Sequence, residues 1–281
     1  MNNNAEVKVT VLITAYNEEE KIERCLKSIL EQTYKNFEIV LINDGSIDST
    51  DEKIKIFISK NSAKNIRYYS RENKGRLISL NEGIFLAKGK YIAIQDADDY
   101  SLPNRLEKQV EYLEKHPNID ILGTAYYRLD AIRKEKYIRI YPETDKEIKK
   151  EMCKYIPLCQ GSMMAKIDVL KSVGGYNINC KDAEDLDLWV RLGNKATFAN
   201  LREPYYVYDL TMENSYFHKK YNFLDRNKRV FKLNCKAIKA FDLPKYNYII
   251  CFLRLLYPYI PVSLKKILRT KFSRIKEKNF Y

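Results

Sequence analysis

Asp96-Ala97-Asp98, followed by Asp99, closes the apolar run Tyr91-Ile92-Ala93-Ile94 and sets clustered carboxylates at the exit of a strand. Oxygen ligands suit a hard divalent cation such as Mg2+ or Mn2+, which keeps positions open for water and phosphate and needs only one or two protein carboxylates. Asp98 is the first choice of ligand. Alternation along a strand would put Asp96 on the same side, where it can meet a ribose or the metal while Ala97 packs behind. The competing assignment makes Asp98, Asp99 and Ser101 caps for the following helix, opened by Pro103 at a favoured early position. Placement favours the first, because ligands in open parallel sheets gather at the carboxyl ends of strands. A second acidic pair, Glu184-Asp185, precedes Leu186, Leu188, Trp189 and Leu192, an apolar stripe that buries a short helix and leaves its acidic start free. Such carboxylates either supply a general base or complement the helix dipole.

The elements that must position these groups follow from hydrophobic periodicity. From Val7 to Gln95, apolar runs alternate with helix-period segments, which predicts an α/β fold of strands joined by crossover helices in a mostly parallel sheet. Strands are expected over Val9–Ile13, Phe37–Ile42, Ile66–Tyr69, from Tyr91 onward, and over Ile119–Tyr127. Helices are expected over Glu19–Glu31, Ser49–Ile58, Gly75–Ala87, Pro103–His116, Lys146–Tyr155 and Asp185–Leu192. No repeat or low-complexity linker divides this part, so residues 1–215 read as one catalytic domain and 216–281 as a helical, basic carboxy-terminal extension.

The 281 residues are 45% hydrophobic, the composition of a globular protein rather than a disordered one. The net charge of +13 suits an anionic partner: a nucleotide, a membrane surface or a nucleic acid. Cys25, Cys153, Cys159, Cys180, Cys235 and Cys251 show no Cys-x-x-Cys pairing and lie mostly in apolar surroundings, as reduced thiols of a cytosolic protein would. Met1 to Glu6 lacks the apolar core of a signal peptide, and no apolar stretch approaches the roughly 20 residues that span a bilayer. The expected location is cytoplasmic, with the cytoplasmic face of a membrane as the alternative.

In order and spacing, Val11-Leu12-Ile13-Thr14-Ala15-Tyr16-Asn17-Glu18, Ile42-Asn43-Asp44-Gly45-Ser46, Asn73-Lys74-Gly75, Gly89-Lys90-Tyr91-Ile92, Asp96-Ala97-Asp98-Asp99, Gly174-Gly175-Tyr176 and Glu184-Asp185 form a series. From about Val7 to Ser215 the chain thereby resembles the family-two glycosyltransferases, the inverting group built on the Rossmann-like nucleotide-diphospho-sugar transferase (GT-A) fold. The resemblance implies a nucleotide-diphosphate sugar, of the uridine type, as co-substrate, with Mn2+ or Mg2+ as cofactor. Thr14, Ala15 and Tyr16 would flank the base, Tyr16 offering a ring for stacking, with Glu18 beside them. Asp44 would accept from the uracil ring or a ribose hydroxyl. Asn73 and Gly75 open a helix whose positive end favours a phosphate, with Lys74 and Arg76 nearby. Asp96 and Ala97 would line the donor, Asp98 ligate the metal and Asp185 act as base, assisted by Glu184. Gly174-Gly175-Tyr176 is either a flexible loop over the donor sugar or a helix stop, and Trp189 is core rather than a sugar platform.

The chain departs from the family pattern in several places. Thr14 stands where proline is usual, Arg76 where an apolar residue is usual, and Gln160-Gly161 where many relatives have His-Pro. The later tyrosine-rich segment reads Tyr205-Tyr206-Val207-Tyr208-Asp209, without the usual Arg and His, which leaves Asp209 as a substitute ligand; His218 reads as surface helix.

Beyond Phe217 a helix is expected over Lys219–Phe241, then the apolar segment Tyr246–Pro258, then Lys265, Lys266, Arg269, Lys271, Arg274, Lys276 and Lys278 opposed by Glu277. This suits either the interface of an anionic membrane, at about 1 kcal/mol per basic residue, or a helical pair packed on the catalytic domain. A membrane location would make a lipid-linked glycan a natural acceptor beside polysaccharide. Two other readings are weaker. A nucleotidyltransferase of similar fold would want a glycine-rich basic loop after the first strand, where Ala15-Tyr16-Asn17-Glu18-Glu19 is acidic. A nucleic-acid-binding protein would interleave basic and aromatic residues across the fold, whereas the densest basic run lies in the tail, so no nucleic acid is expected.

Overall fold

Along the first strand Val9, Val11, Ile13 and Ala15 face one apolar layer and Leu12 the other, so a single run of residues feeds two cores. A strand buried on both faces reads as continuous hydrophobic sequence, which is why this part of the sheet is parallel and sits between helices. The computed structural model describes residues 7–61, 65–130, 135–210 and 223–256. In chain order the elements are β1 (Val9–Ala15), α1 (Ile22–Leu30), β2 (Phe37–Asp44), α2 (Thr50–Lys60), β3 (Ile66–Arg71), α3 (Arg76–Leu86), β4 (Tyr91–Asp96), β5 (Tyr100–Ser101) and α4 (Arg105–Lys115). They continue as β6 (Ile121–Asp130), β7 (Glu135–Arg139), α5 (Asp145–Glu151), β8 (Met164–Lys166), α6 (Ile167–Lys171), α7 (Glu184–Leu192), β9 (Phe198–Asp209), α8 (Phe223–Ala240) and α9 (Asn247–Leu256).

The strands form one sheet in the order β3-β2-β1-β4-β8-β6-β9-β5, with β7 added to β6. The ladders β1–β2, β1–β4, β2–β3 and β6–β9 are parallel, and the antiparallel β4–β8, β6–β8 and β5–β9 ladders are short; β6–β7 is a longer antiparallel pair at the side of the sheet. The sheet is therefore mostly parallel, as expected. The chain order reverses between β1 and β4, and the crevice outside the carboxyl ends of two such strands is where open α/β sheets take ligands. Register places Thr14 of β1 directly beside Asp96 of β4.

Helix α1 buries Ile22, Cys25, Leu26 and Ile29, one face at helical spacing, against the same layer as Ile54 of α2 and Leu106, Val110 and Leu113 of α4. The opposite layer takes Leu80 and Ile84 of α3, Leu170 of α6, and Leu186, Leu188, Trp189 and Leu192 of α7. Trp189 is fully buried, edge-on to Phe198 at 5.8 Å, so it is core. Leu233, Ala237, Ile238 and Phe241 of α8 and its following turn, and Cys251 of α9, belong to this layer too. Arg226 and Arg229 of α8 pair with Asp182, and Cys251 Sγ donates to the carbonyl of Cys153. The helical pair over residues 223–256 thus packs on the body of the protein; the basic positions from Lys265 to Lys278, and His218, lie outside the described residues.

Several expected boundaries shift. The residues Glu19 and Glu20 form a turn before α1, and α4 starts at Arg105, because the Arg105 N–H closes a turn onto the Leu102 carbonyl and leaves Pro103 in that turn. Gly174-Gly175-Tyr176 is a helix stop rather than a mobile loop. The N–H groups of Gly174 and Gly175 bond the carbonyls of Lys171 and Leu170, and both glycines take positive φ, +71° and +68°. Asn81 then clamps Tyr176 by two bonds, 2.7 and 2.8 Å, to its main-chain N–H and carbonyl.

Candidate active site

Asp96 ends β4, and the next three residues turn sharply, with the Asp99 N–H closing onto the Asp96 carbonyl at 3.2 Å. The turn, rather than strand alternation, gives these residues their directions. Asp96 and Asp98 are half-buried toward the opening, whereas Ala97 and Asp99 point into the protein. Asp99 does not cap a helix: its carboxylate accepts from the Tyr206 hydroxyl and the Asp209 N–H, both at 2.8 Å, and so ties the end of β9 under the site. Ser101 donates to Gln95 Oε1, so the capping assignment fails for it as well. Asp209 pairs with Arg24 and accepts at its carbonyl from Lys21 Nζ, which commits it to joining β9 to α1.

Below this turn lies Arg105, fully buried and, among the described residues, without a hydrogen-bonded carboxylate. Its guanidinium donates to the carbonyls of Ile94 (2.8 Å) and Met163 (3.2 Å) and to Gln95, Ser101 and Gln109, and it lies 5.3 Å from the Tyr206 ring centroid. Burial pulls its pKa down to about 10. It braces the β4 exit against the neighbouring segment that holds Gly161. Close approach requires glycine there: a Cβ at Gly161 would stand 2.2 Å from the Tyr206 hydroxyl and 2.6 Å from Asp96 Oδ2.

The residues expected on the donor side lie at or just beyond the carboxyl ends of β1 and β2 and at the start of α3. Thr14 is half-buried beside Asp96, Ala15 is core, and Tyr16 is exposed at the rim. Asn17, at φ +57°, receives the Ile47 N–H on its side chain and donates its own N–H to Ser46. Glu18 is half-buried, and burial, with repulsion from Asp98, pushes its pKa up to about 8, against the attraction of Lys21. Asp44 is buried, held by Arg71 and by the Lys74 N–H. Gly45, at φ +71°, lets this turn come so close to Asn73 that a Cβ would lie 2.4 Å from the Asn73 nitrogen. Asn73 is exposed, and Gly75, at φ +95°, forms the N-cap of α3.

Glu184 and Asp185 open α7. Ala183 before them sits in the left-handed region at φ 53° and ψ 50°, a costly place for a residue with a Cβ, at the corner where the chain enters the helix. Asp185 Oδ1 accepts from the Leu186 N–H at 2.8 Å. Burial first, and then the Glu184 charge, raise the Asp185 pKa to about 7. Asp187 is structural, paired with Arg191, which also holds the carbonyls of Val173 and Gly175. The residue joining the two acidic motifs is Arg76, whose Nη1 donates to Glu184 Oε1 at 2.6 Å and Nη2 to Asp96 Oδ1 at 2.7 Å. One guanidinium therefore spans the β4 exit and the start of α7.

Asp98 has the chemistry of a hard-cation ligand: burial and the adjacent Asp96 raise its pKa, so a positive charge there would be strongly favoured. Among the described residues no three His, Cys, Asp or Glu side chains converge as a ready-made metal cage. The donor set on offer is one or two carboxylates, the number a Mg2+ or Mn2+ takes when phosphate and water complete its shell.

The Glycosyl transferase family 2 model matches residues 10–174. EpsE of Bacillus subtilis (strain 168), which carries a glycosyltransferase name, is 32% identical over 269 residues, covering 93% of this chain and 92% of that one. Among solved structures, residues 1–349 of S. aureus TarS in complex with UDP-GlcNAc superpose with a TM-score of 0.67 at 20% identity, over 89% of this chain and 73% of that one. The mannosyltransferase PcManGT from Pyrobaculum calidifontis, in complex with GDP-Man and Mn2+, gives 0.65 at 16% identity, over 96% and 81%. The two structural likenesses establish the GT-A fold, and the sequence matches reach further: the chain belongs to glycosyl transferase family 2 and is a glycosyltransferase.

Proposed function

We propose that this glycosyltransferase moves a sugar, with inversion, from a nucleotide-diphosphate donor of the uridine type to a hydroxyl of a polysaccharide or glycolipid in cell-surface glycan synthesis. The observation that carries the reading is the meeting of Asp96 and Glu184 across Arg76, which sets a donor-side carboxylate cluster against an acidic pair with a base of suitable pKa. In this reading Thr14, Ala15, Tyr16, Glu18 and Asp44 receive the nucleoside, and Asn73, Gly75, Asp96 and Ala97 line the diphosphate and ribose. Mn2+ or Mg2+ held by Asp98 would supply stabilisation of the charge on the departing diphosphate. Asp185 takes the proton of the acceptor hydroxyl as its oxygen attacks the anomeric carbon, and the electron pair of the broken bond leaves on the diphosphate. One displacement inverts the centre. The UDP-GlcNAc complex of TarS and the GDP-Man and Mn2+ complex of PcManGT support a nucleotide-sugar donor and a metal.

We also place residues 1–215 as the catalytic part and 216–281 as an extension that meets the cytoplasmic face of an anionic membrane. No helix among the described residues is long and apolar enough to cross a bilayer, but Tyr246 and the α9 residues Ile249, Phe252 and Leu253 are exposed at helical spacing. An apolar stripe followed by a basic segment fits an interfacial rather than a spanning contact. The test of function is a screen of UDP-, GDP- and dTDP-sugars with Mn2+, scoring transfer or slow hydrolysis, with the anomeric configuration of the product read by NMR. An inverted product from a UDP-sugar is expected; a retained configuration, or turnover of none of the donors, would overturn the reading.

A further inference from the structure

The donor side of the proposed site is crowded with carboxylates: Glu18 feels the charges of Asp98, Asp48 and Asp96, and Asp98 that of Asp96. A nucleoside diphosphate entering there adds negative charge, so the available cations decide how it is held. Arg24 is tied to the buried Asp209, and Arg71 to the buried Asp44 and to Glu82. Arg76 is placed differently. Its side chain is 41% exposed, and its partners Asp96 and Glu184 are 24% and 28% exposed, so its ion pairs stand in water at the mouth of the crevice and can be exchanged. A guanidinium presents a planar fork of donors that fits phosphate oxygens as well as carboxylates.

We propose that Arg76 is a diphosphate-binding residue: it gives up Glu184 for the phosphate oxygens of the donor, which releases Glu184 beside Asp185 on the acceptor side. The proposal rests on the nucleotide-diphosphate reading above. It makes Glu184 a competitor of the diphosphate for one guanidinium, and a monophosphate, ending short of the β-phosphate, should feel little of that competition.

The test is calorimetric titration, in Mn2+, of UDP, GDP and dTDP into the wild-type protein, followed by the tightest of these and its monophosphate into variants. Arg76→Ala is expected to weaken the diphosphate by about tenfold or more, the worth of one charge-assisted contact, and the monophosphate by less than about twofold. Arg76→Lys keeps the charge without the fork and should fall between; it carries the test if the alanine variant proves unstable by its thermal melt. Glu184→Gln should tighten the diphosphate, and should lose that effect in combination with Arg76→Ala. Equal weakening of both nucleotides by either Arg76 variant, or none, overturns the proposal. Wild-type protein that binds none of the three diphosphates overturns the donor reading itself, and the proposal with it.

Discussion

Gly161→Ala is a one-carbon perturbation whose cost can be worked from its surroundings. The new Cβ would lie 2.2 Å from the Tyr206 hydroxyl, 2.7 Å from its Cζ and 2.6 Å from Asp96 Oδ2. Ordinary contact needs roughly 3.5 Å, so each neighbour must retreat by about 1 Å. Neither is free to do so. Tyr206 is fully buried and bonded to Asp99, with the Arg105 guanidinium over its ring, and the Asp96 carboxylate can retreat only by disturbing its pair with Arg76. Overpacking of this kind costs about 1–3 kcal/mol, which for a chain of this size lowers Tm by roughly 4–8 °C at the middle of that range. Because Asp96 is displaced, the loss of transfer should exceed the loss of stability, with kcat/KM down by about a hundredfold at temperatures where the variant is fully folded. The assay is a thermal melt alongside initial rates with the preferred donor. Tyr206→Phe removes the atom the methyl group strikes first, so the double variant should be at least about 0.5 kcal/mol more stable than the two single changes predict by addition. A Gly161→Ala protein with wild-type Tm and rate would refute the reasoning.

Three further outcomes are expected. Arg105→Met takes the side-chain donor from the buried Ile94 carbonyl, while the Met163 carbonyl keeps the Ile94 N–H; at ~1–3 kcal/mol for the lost partner, offset in part by relief of a desolvated charge, urea unfolding should show a net loss of about 1–2 kcal/mol, and a change below ~0.5 kcal/mol would contradict the bracing role. The pH profile of kcat/KM should rise with an apparent pKa of about 7, because Asp185 of the free enzyme must be ionised to take a proton and its ionisation is delayed by burial and by Glu184. Removing the negative charge with Glu184→Gln should move that acid limb to lower pH, and Arg76→Ala, which removes a stabilising positive charge, should move it higher; opposite shifts would contradict the assignment. On α9, Ile249→Ser with Leu253→Ser should leave stability within about 0.5 kcal/mol per change, both sites being exposed, yet weaken co-sedimentation with phosphatidylglycerol vesicles; unchanged vesicle binding would argue against the membrane contact.

Strands β1, β2 and β4 could be read directly because each is a run of mostly apolar residues buried on both faces, and their order carried the expected site with it: β4 ends at Asp96, beside the point where the strand order reverses. Strand β9 was hidden. Its pairing with β6 slips twice, around Ala125, passing over Arg202, Glu203 and Tyr205, so no alternation survives in a segment that reads only as tyrosine-rich. Strand β8, three residues long, and β5, two, are too short for any period, and α6 spans little more than one turn. Asp96, Asp98 and Asp185, expected in the site, stand out in sequence because each adjoins the end of an apolar element, and Arg76 joins the end of β4 to the start of α7, an approach that periodicity does not show. Arg105, Tyr206 and the bridging part of Arg76 do not stand out, because their partners are brought together by the sheet, from segments far apart in sequence. For Arg105 a trace existed: it occupies the buried face of α4 with Gln109 and Leu113 at helical spacing, where a charged group demands a polar account.

Single-turnover transfer by Asp185→Asn, measured beside its affinity for nucleoside diphosphate and Mn2+, bears most directly on the proposed chemistry. The amide keeps the size of the side chain and cannot accept the acceptor's proton, so transfer should fall by about a thousandfold, within the range general-base catalysis contributes, while nucleotide affinity stays within about twofold. Transfer that persists near the wild-type rate, or nucleotide binding lost in step with transfer, would contradict the assignment of Asp185 as base.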